Sequence, residues 1–355
     1  MRAMPSLLWD VFCTVVDNHG DIGVGWRFSQ GLAARGQRVR LWVDDASALA
    51  WMAPEGDPDV QVRPWQGMPP TGLAPGDVLV ETFGCDIPPD WVLAVAPRPG
   101  PWINLEYLSA ESYVARMHRL PSPVLNGPLA GRTKHFFYPG FTPDTGGLLR
   151  ETDLAARQVR FDRSAWLHRH ADGWQGEPVH NLFCYEPAGL PAWLDRLRAP
   201  DQPPAHVLVA PGRAAAAVRQ HLGPATQHGP LRLTWRPPCS QAEFDEGLWA
   251  SDTNWVRGED SLVRALWAGR PLVWHIYPQH DGAHHAKLAA FLDWLDAPPD
   301  LRSVHRCWNA DTPQDMPAHD PMDWVATLAR ARERLLAQPD LVSQLLDFVA
   351  ATAPH

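Results

Sequence analysis

The segment from Asp17 to Gly25 places two carboxylates and several glycines at the end of an apolar run. Asp17 and Asp21 lie four residues apart, between a buried strand predicted at Leu8 to Val16 and a helix predicted at Trp26 to Ala34. The residues from Gly20 to Gly25 predict a glycine-rich turn. A carboxylate pair at such a point can act as a general base or bind a cation. It can equally cap the helix, because an acidic residue near a helix start interacts well with the dipole. Local spacing leaves both interpretations open.

A second motif, Arg257-Gly258-Glu259-Asp260-Ser261, follows a short predicted strand and opens a helix. The first turn of a helix has free N–H groups and a positive dipole end, which together suit a diphosphate. Arg257 and Ser261 would add further donors. An Asp or Ser N-cap without a ligand is the alternative interpretation.

Aromatic residues stand near this motif in the predicted topology. Phe183 and Tyr185 lie at a strand end, and Phe244 lies near Gln241 at the start of a predicted helix. Aromatic rings in such positions can stack on a nucleobase, although they more often belong to a core.

The histidines and cysteines give little support for a metal. His275, His280, His284 and His285 cluster, and His280 with His284 has the spacing of a metal pair. No acid completes an H-E-x-x-H motif, so surface and helix-start roles are favoured. The five cysteines are widely spaced and contain no C-x-x-C, which predicts reduced thiols in a cytoplasmic protein.

Strand patterns alternate with helical ones over most of the chain, which predicts parallel α/β units. They form two successive halves, so we expect two Rossmann-like domains facing across a cleft, with ligands beyond the carboxyl ends of the strands. The expected boundaries are 1–165, 176–320 and a C-terminal helical segment 321–355 that packs back on the first domain. Residues 151–178 are charged and polar, with a helix predicted around Arg163 to His170, and form the expected linker.

Charge and hydropathy exclude several classes of partner. The formal net charge is −9, so a nucleic-acid partner is not expected. An acidic surface suits a basic protein partner, or serves solubility alone. Asp10 interrupts the first apolar stretch, and no segment reaches about 18 apolar residues, so neither a signal peptide nor a transmembrane helix is expected.

Taken together, these segments resemble the elongation factor P arginine rhamnosyltransferase family. The matching segments occur in the family's order between residue 9 and about residue 290. They are Trp9–Cys13, Asp17–Val24, Leu41–Asp45, Glu81–Phe83, Asn104–Glu111, Tyr138–Phe141, Gly146–Leu148, Arg257–Ser261 and Trp274–Gln279.

The resemblance implies a GT-B fold and an inverting transfer of L-rhamnose from dTDP-β-L-rhamnose to an arginine of elongation factor P. The first domain would bind the acceptor and the second the nucleotide sugar, with no cofactor or metal. The general base falls on Asp21, a second essential aspartate on Asp17 and an essential glutamate on Glu259. The implied nucleotide contacts fall on Phe183, Tyr185, Gln241, Phe244, Asp260 and Ser261.

The chain departs from the family pattern in places. His19 stands where Tyr or Phe is usual, and Pro238 stands where a base-stacking Phe is expected. Residues 296–320 match poorly. These departures affect base recognition rather than the class of enzyme.

Three alternatives remain open from the residues themselves. Gly20, Gly23 and Gly25, with Asp44 and Asp45 after the next strand, imitate a dinucleotide site of an oxidoreductase, although the glycine spacing is reversed. The other two alternatives are a nucleotide-sugar transferase with a different acceptor and a GT-B-like module that only binds a partner.

Overall fold

The computed structural model describes residues 5–16, 19–279 and 282–352. Contacts divide the chain into two compact units. The first holds the chain up to Leu154 and again from Leu335, and the second holds Ala155–Arg334. Each unit is built on its own, mainly parallel sheet.

The first unit contains a seven-stranded sheet in the order β3-β2-β1-β4-β5-β7-β6. Its strands are β1 (Leu8–Cys13), β2 (Arg38–Val43), β3 (Val60–Pro64), β4 (Val78–Thr82), β5 (Trp102–Leu105), β6 (Pro121–Pro123) and β7 (Thr133–Phe137). The pairs are parallel except that β6 runs antiparallel to β7 at the edge. Helices cover parallel sheets on both faces, which explains why β1 and β2 are buried along nearly their whole length.

The helices of the first unit place apolar side chains against both faces of this sheet. They are α1 (Gly20–Ala33), α2 (Leu49–Met52), α3 (Pro89–Val95) and α4 (Tyr113–Met117). Trp26 and Phe28 of α1 join a core with Val11 and Leu41. Trp91 of α3 belongs to a second core that also contains Phe12 and Trp42.

The second unit contains a six-stranded sheet in the order β10-β11-β9-β8-β12-β13. Its strands are β8 (Val179–Leu182), β9 (Ala205–Val209), β10 (Gln227–His228), β11 (Leu231–Trp235), β12 (Thr253–Arg257) and β13 (Leu272–His275). Again the pairs are parallel except for the short edge strand, β10.

Nine further helices lie among the described residues of the second unit, from its start to its end. They are α5 (Leu154–Arg160), α6 (Arg163–His170), α7 (Leu190–Leu197), α8 (Arg213–Leu222), α9 (Gln241–Ala250), α10 (Gly258–Ala268), α11 (Ala283–Trp294), α12 (Pro299–Trp308) and α13 (Val325–Leu336). A 3₁₀ turn, Pro321–Trp324, precedes α13.

The expected linker at 151–178 is an ordered part of the second unit. Asp162 caps α6 by accepting the Ala165 N–H at 2.9 Å. Trp166 and Leu167 of α6 are buried in a core with β8 and β9. The second unit therefore begins at residue 155, earlier than the expected boundary at residue 176. The sequence suggested a later start because charged residues on the exposed side of α6 make its apolar side hard to recognise.

The final helix, α14 (Leu341–Thr352), belongs to the first unit. Val342 and Leu345 are fully buried in the core that α1 shares with β1 and β2. Gly31 permits this close approach, because a Cβ there would lie 2.9 Å from Val342 Cγ2. Residues 321–334, in contrast, belong to the second unit. The C-terminal segment expected at 321–355 is therefore divided between the two units.

Candidate active site

The junction of β12 and α10 carries the second motif. Arg257 is the N-cap residue of α10 in an extended conformation (φ −131°, ψ 158°). Gly258 follows at φ +64°, the left-handed region that favours glycine. This corner turns the chain sharply from strand to helix, so the first-turn N–H groups of α10 lie at the carboxyl end of the sheet, as the sequence predicted.

The Arg257 guanidinium lies over two of the predicted nucleotide-binding aromatics. Its Cζ is 4.4 Å from the Phe183 ring centroid and 4.6 Å from that of Tyr185. Its Nη1 donates to the Cys184 carbonyl at 3.3 Å. Phe183 also meets Phe244 edge to face, with ring centroids 5.3 Å apart. The structure thus brings Phe183, Tyr185, Phe244 and Arg257 together.

Gln241 begins α9 in the same unit. Ser240 caps this helix by accepting the Glu243 N–H at 3.2 Å. The Gln241 side chain is only 8% exposed. Its place at a helix start next to Phe244 is the one that the sequence predicted for it.

Two guanidinium groups lie close to the Tyr185 ring. One of them, that of Arg213, was not among the predicted site residues. The Cζ of Arg213, at the start of α8, is 4.7 Å from the Tyr185 ring centroid. Arg213 also forms an ion pair with Glu186. A strand that ends in Tyr185-Glu186 and a Pro-Gly turn that opens α8 were the available signals.

His275 supports this cluster from β13, where it is buried rather than at the surface as expected. Its Nδ1 accepts the Tyr185 N–H at 3.3 Å. Burial, with Arg213 and Arg257 nearby, lowers the pKa of His275 to about 3. The imidazole is therefore neutral at physiological pH, and the cationic groups beside Tyr185 are the guanidiniums of Arg257 and of Arg213, the latter paired with Glu186.

Ser261 stabilises the turn between β12 and α10 through two hydrogen bonds to the Arg257 backbone. Its hydroxyl oxygen accepts the Arg257 N–H at 3.1 Å, and the hydroxyl donates to the Arg257 carbonyl. The side chain is buried, whereas Asp260 is half-buried. The predicted contact between Ser261 and a diphosphate therefore stays a prediction, and it requires the hydroxyl to change its partner.

Glu259 lies in the first turn of α10. Its Oε1 is 2.5 Å from Lys287 Nζ on α11. A buried pair fixes α10 itself, because Arg264 donates to both carboxylate oxygens of Asp245 on α9, at 3.0 and 2.8 Å. These two ion pairs set the position of the helix whose N-terminus forms the site.

Asp21 lies in the first turn of α1, with 5% of its surface exposed. Its Oδ2 accepts the Val16 N–H at 2.8 Å. The expected glycine-rich turn from Gly20 to Gly25 is wrong, because α1 already begins at Gly20. The Gly23 N–H reaches the His19 carbonyl at 3.0 Å, which starts the helical bonding there. Asp17 lies outside the described residues.

The dinucleotide alternative finds no support at Asp44. Its Oδ1 accepts the N–H groups of Val15 and Asp45, at 2.9 and 3.0 Å. This carboxylate therefore fixes the loop that follows β1. The acidic residue of a dinucleotide site would instead be directed at a ribose hydroxyl.

Polar side chains gather where β4 and β5 end, next to β1 in the sheet order. Glu81 pairs with Lys134 at 2.7 Å, and burial raises the Glu81 pKa. Asn104 donates to Glu106 at 2.8 Å. Phe83, at φ +57°, stacks on the exposed Tyr107 ring with centroids 4.7 Å apart. Parallel strands end at one edge, so this acidic and aromatic group shares an edge with Asp21.

One group in the second unit has the composition of a metal site. Ligand atoms of His284, His285 and Asp311 lie within 4.8 Å of one another. However, His284 Nδ1 accepts the Gln279 N–H at 3.1 Å, which leaves the proton of a neutral imidazole on Nε2. That tautomer does not suit a metal ligand. His284 and His285 lie in the first turn of α11, and His280 lies outside the described residues.

Comparison with known proteins identifies the family. The family model described as Elongation-Factor P (EF-P) rhamnosyltransferase EarP matches residues 9–350. The chain belongs to this EarP family. A protein-arginine rhamnosyltransferase of Pseudomonas putida is 43% identical over 96% of this chain and 98% of its own. One from Pseudomonas aeruginosa is 40% identical with the same coverage.

Solved structures agree with the EarP assignment. A structure that describes EarP-mediated arginine glycosylation of EF-P has a TM-score of 0.67 at 32% identity, and the match covers 98% of this chain and all of that one. Arabidopsis thaliana UGT89C1 in complex with UDP has a TM-score of 0.55 at 14% identity, over 98% of this chain and all of its own, which shows the fold alone. The α/β fold is that of GT-B glycosyltransferases, as expected, and the enzyme class is glycosyltransferase.

The two single-residue departures from the family pattern are His19 and Pro238. The His19 ring packs edge to face on Trp51, with centroids 5.3 Å apart. Pro238 is exposed in the segment between β11 and α9. In the part of the chain that the structure describes, every helix is too short or too polar to cross a bilayer.

Proposed function

We propose that the protein transfers L-rhamnose from dTDP-β-L-rhamnose to an arginine side chain of elongation factor P, with inversion at the anomeric carbon. The observation that carries this proposal is the similarity over nearly the whole chain to protein-arginine rhamnosyltransferases. The acceptor is a translation factor, so the proposed place of action is the cytoplasm.

Arginine is a poor nucleophile, because its guanidinium is delocalised and remains protonated. An aspartate cannot deprotonate it at equilibrium. We therefore propose a concerted step, in which a guanidinium nitrogen bonds to the anomeric carbon while its proton passes to Asp21. Asp17 and the carboxylates after β5 would orient the guanidinium through charge-assisted hydrogen bonds.

The bond that breaks joins the anomeric carbon to the diphosphate oxygen, and its electron pair leaves with dTDP. The first-turn N–H groups of α10 and the guanidiniums of Arg257 and Arg213 are the proposed acceptors of this charge. Phe183 and Phe244 are the proposed contacts of the thymine ring, and Glu259 the proposed contact of the sugar. The cationic groups would let the leaving group depart without a metal.

The test is intact-mass analysis of elongation factor P after incubation with this protein and dTDP-β-L-rhamnose. We expect a gain of one deoxyhexose, lost when the acceptor arginine is replaced by lysine and unaffected by EDTA. NMR of the glycopeptide should show an α-linkage. Faster transfer from UDP-rhamnose would contradict the proposed donor, and modification of the lysine variant would contradict the proposed acceptor.

A further inference from the structure

A cavity of about 430 Å³ lies along β2 and β3 in the first unit, lined from Leu8 at the start of β1 to Arg63 near the end of β3. Asp21 follows the opposite end of β1, in α1. Arg38 and Arg40 project from one face of β2, whereas Val39 and Leu41, which belong to the core that α1 joins, project from the other. The cavity is therefore distinct from the edge at which the acceptor chemistry is proposed.

Strand pairing directs several polar side chains into this cavity. Arg40 of β2 is registered with Gln61 of β3, and alternate residues of a strand point to the same face. Arg38 and Arg40 therefore share a face with Gln61 and Arg63. All four line the cavity, and residues 70–74 close it on another side.

Arg40 belongs to the framework of the cavity. It is buried, and it donates from Nε and Nη2 to the two carboxylate oxygens of Asp10, at 2.6 and 2.5 Å. Its Nη1 donates to the Ala74 carbonyl at 2.8 Å. A Cβ at Gly76 would lie 2.1 Å from Asp10 Oδ2, so the pair is tightly enclosed. The charge of Arg40 is thus neutralised by Asp10.

Arg38 and Arg63 retain their charge within the cavity. Across the described residues, neither has a carboxylate within ion-pair distance. Arg63 donates to Gln61 at 2.9 Å, and its Cζ lies 5.7 Å from the Trp42 ring centroid. Asp59 is the acidic lining residue, and its charge offsets one of the two. The cavity therefore has a cationic surplus in a chain whose net charge is −9.

We propose that this cavity is a binding site for a small organic phosphate. Arg38 and Arg63 line the same cavity from neighbouring strands, four register positions apart, so their long side chains can approach a phosphate dianion from two sides. Such a dianion offers three acceptor oxygens to bidentate donors. Pro58, Pro70 and Leu73 provide apolar walls for a carbon skeleton. The volume falls within the range of small-molecule sites and exceeds what inorganic phosphate needs.

Calorimetric titration with glucose 6-phosphate tests this site. Saturating dTDP is present throughout, so that the nucleotide site of the second unit is filled. We expect binding that weakens about tenfold or more in the double variant Arg38→Gln/Arg63→Gln, because each lost guanidinium removes a charge-assisted contact. The matched control is Arg169→Gln, which removes an exposed arginine of α6 in the second unit.

Gluconate, which carries a carboxylate on a similar skeleton, separates phosphate recognition from general anion attraction. We expect it to bind more weakly than glucose 6-phosphate. Absence of binding with dTDP present, equal affinity for gluconate, or equal weakening in Arg169→Gln would each overturn the proposal. Neither arginine belongs to the proposed acceptor or nucleotide site, so rhamnosyl transfer by the double variant should remain normal and serve as the check of folding.

Discussion

At the scale of single residues, the two halves of the proposed reaction rest on different kinds of group. Asp21 is a nearly buried carboxylate that also accepts a backbone N–H from Val16. Arg213 and Arg257 are cations stacked on Tyr185, and the buried His275 beside them is neutral. In the proposed reaction, the first unit would therefore supply negative charge for a cationic acceptor, and the second unit would supply positive charge for an anionic donor.

Replacing Asp21 by Asn should separate donor binding from transfer. The amide cannot take the guanidinium proton, so we expect transfer to fall by about 10²- to 10⁴-fold. The affinity for dTDP should stay unchanged, because Asp21 belongs to the first unit and the nucleotide contacts to the second. Single-turnover mass spectrometry and calorimetry would measure the two effects.

Asp45→Asn is the matched control, since Asp45 is an exposed carboxylate that accepts the N–H of Ser47 in the loop after β2. Its transfer rate should equal that of the unchanged protein. Normal turnover in Asp21→Asn would rule out the assignment of Asp21 as the base.

At the scale of elements, one buried ion pair determines how α10 presents its N-terminus. Asp245 and Arg264 are almost fully buried and joined by two hydrogen bonds. Removing one partner of such a pair leaves a buried charge without compensation. The geometry of the proposed diphosphate site thus depends on a contact made about two turns further along the helix.

Asp245→Ala should therefore loosen α9 and α10. Breaking a buried pair typically costs about 3–5 kcal/mol. Hydrogen exchange should accelerate in both helices, and dTDP affinity should fall. Asp195→Ala is the control, because the Asp195–Arg198 pair is exposed and surface pairs contribute little. If the two variants exchanged alike, the buried pair would not be what holds α10.

Elements with strong local signals are predictable from the sequence. The sequence predicts a strand at Leu231–Trp235 and a helix at Gln241–Ala250, and β11 and α9 have these bounds. Both predictions rest on local patterns, an apolar strand of five residues and a Ser-capped helix. β3 and β7 were missed. β3 contains Gln, Arg and Pro, and β7 is only half-buried over most of its length, so neither shows the apolar pattern of a central strand.

The residues of the candidate site divide in the same way, into those that a local pattern predicts and those that it does not. Phe183 and Arg257 adjoin recognisable strand ends, so their place was predicted and the structure brings them together. Arg213 and His275 reach Tyr185 from elements far apart in sequence. Their convergence is decided by the pairing order of the sheet, which no local pattern contains.

At the scale of the whole molecule, the chain begins and ends in the same unit. Helix α14 completes the core of the first unit against α1, and Arg35 pairs with Asp340 at 2.8 Å just before it. Arg150 donates to the carbonyls of Leu336 and Gln338 on the approach to that helix. The returning segment is thus held by polar contacts as well as by its apolar side.

Leu345→Ala should destabilise the first unit selectively. Leu345 is fully buried, and truncating a buried leucine costs about 2–5 kcal/mol. We expect faster hydrogen exchange in β1, β2 and α1, with dTDP binding by the second unit unchanged. Leu336→Ala, at a partly exposed position, should have little effect on either. A uniform loss across both units would contradict independent cores.

The return of α14 also bears on how the protein is made. The strands that α14 covers are translated before the whole second unit, and α14 is translated after it. The side of α1 that packs against α14 therefore stays uncovered until the second unit has been made, although domains usually fold in order from the N-terminus. A chain cut between α13 and α14 would contain a complete second unit and a first unit that lacks a helix of its core.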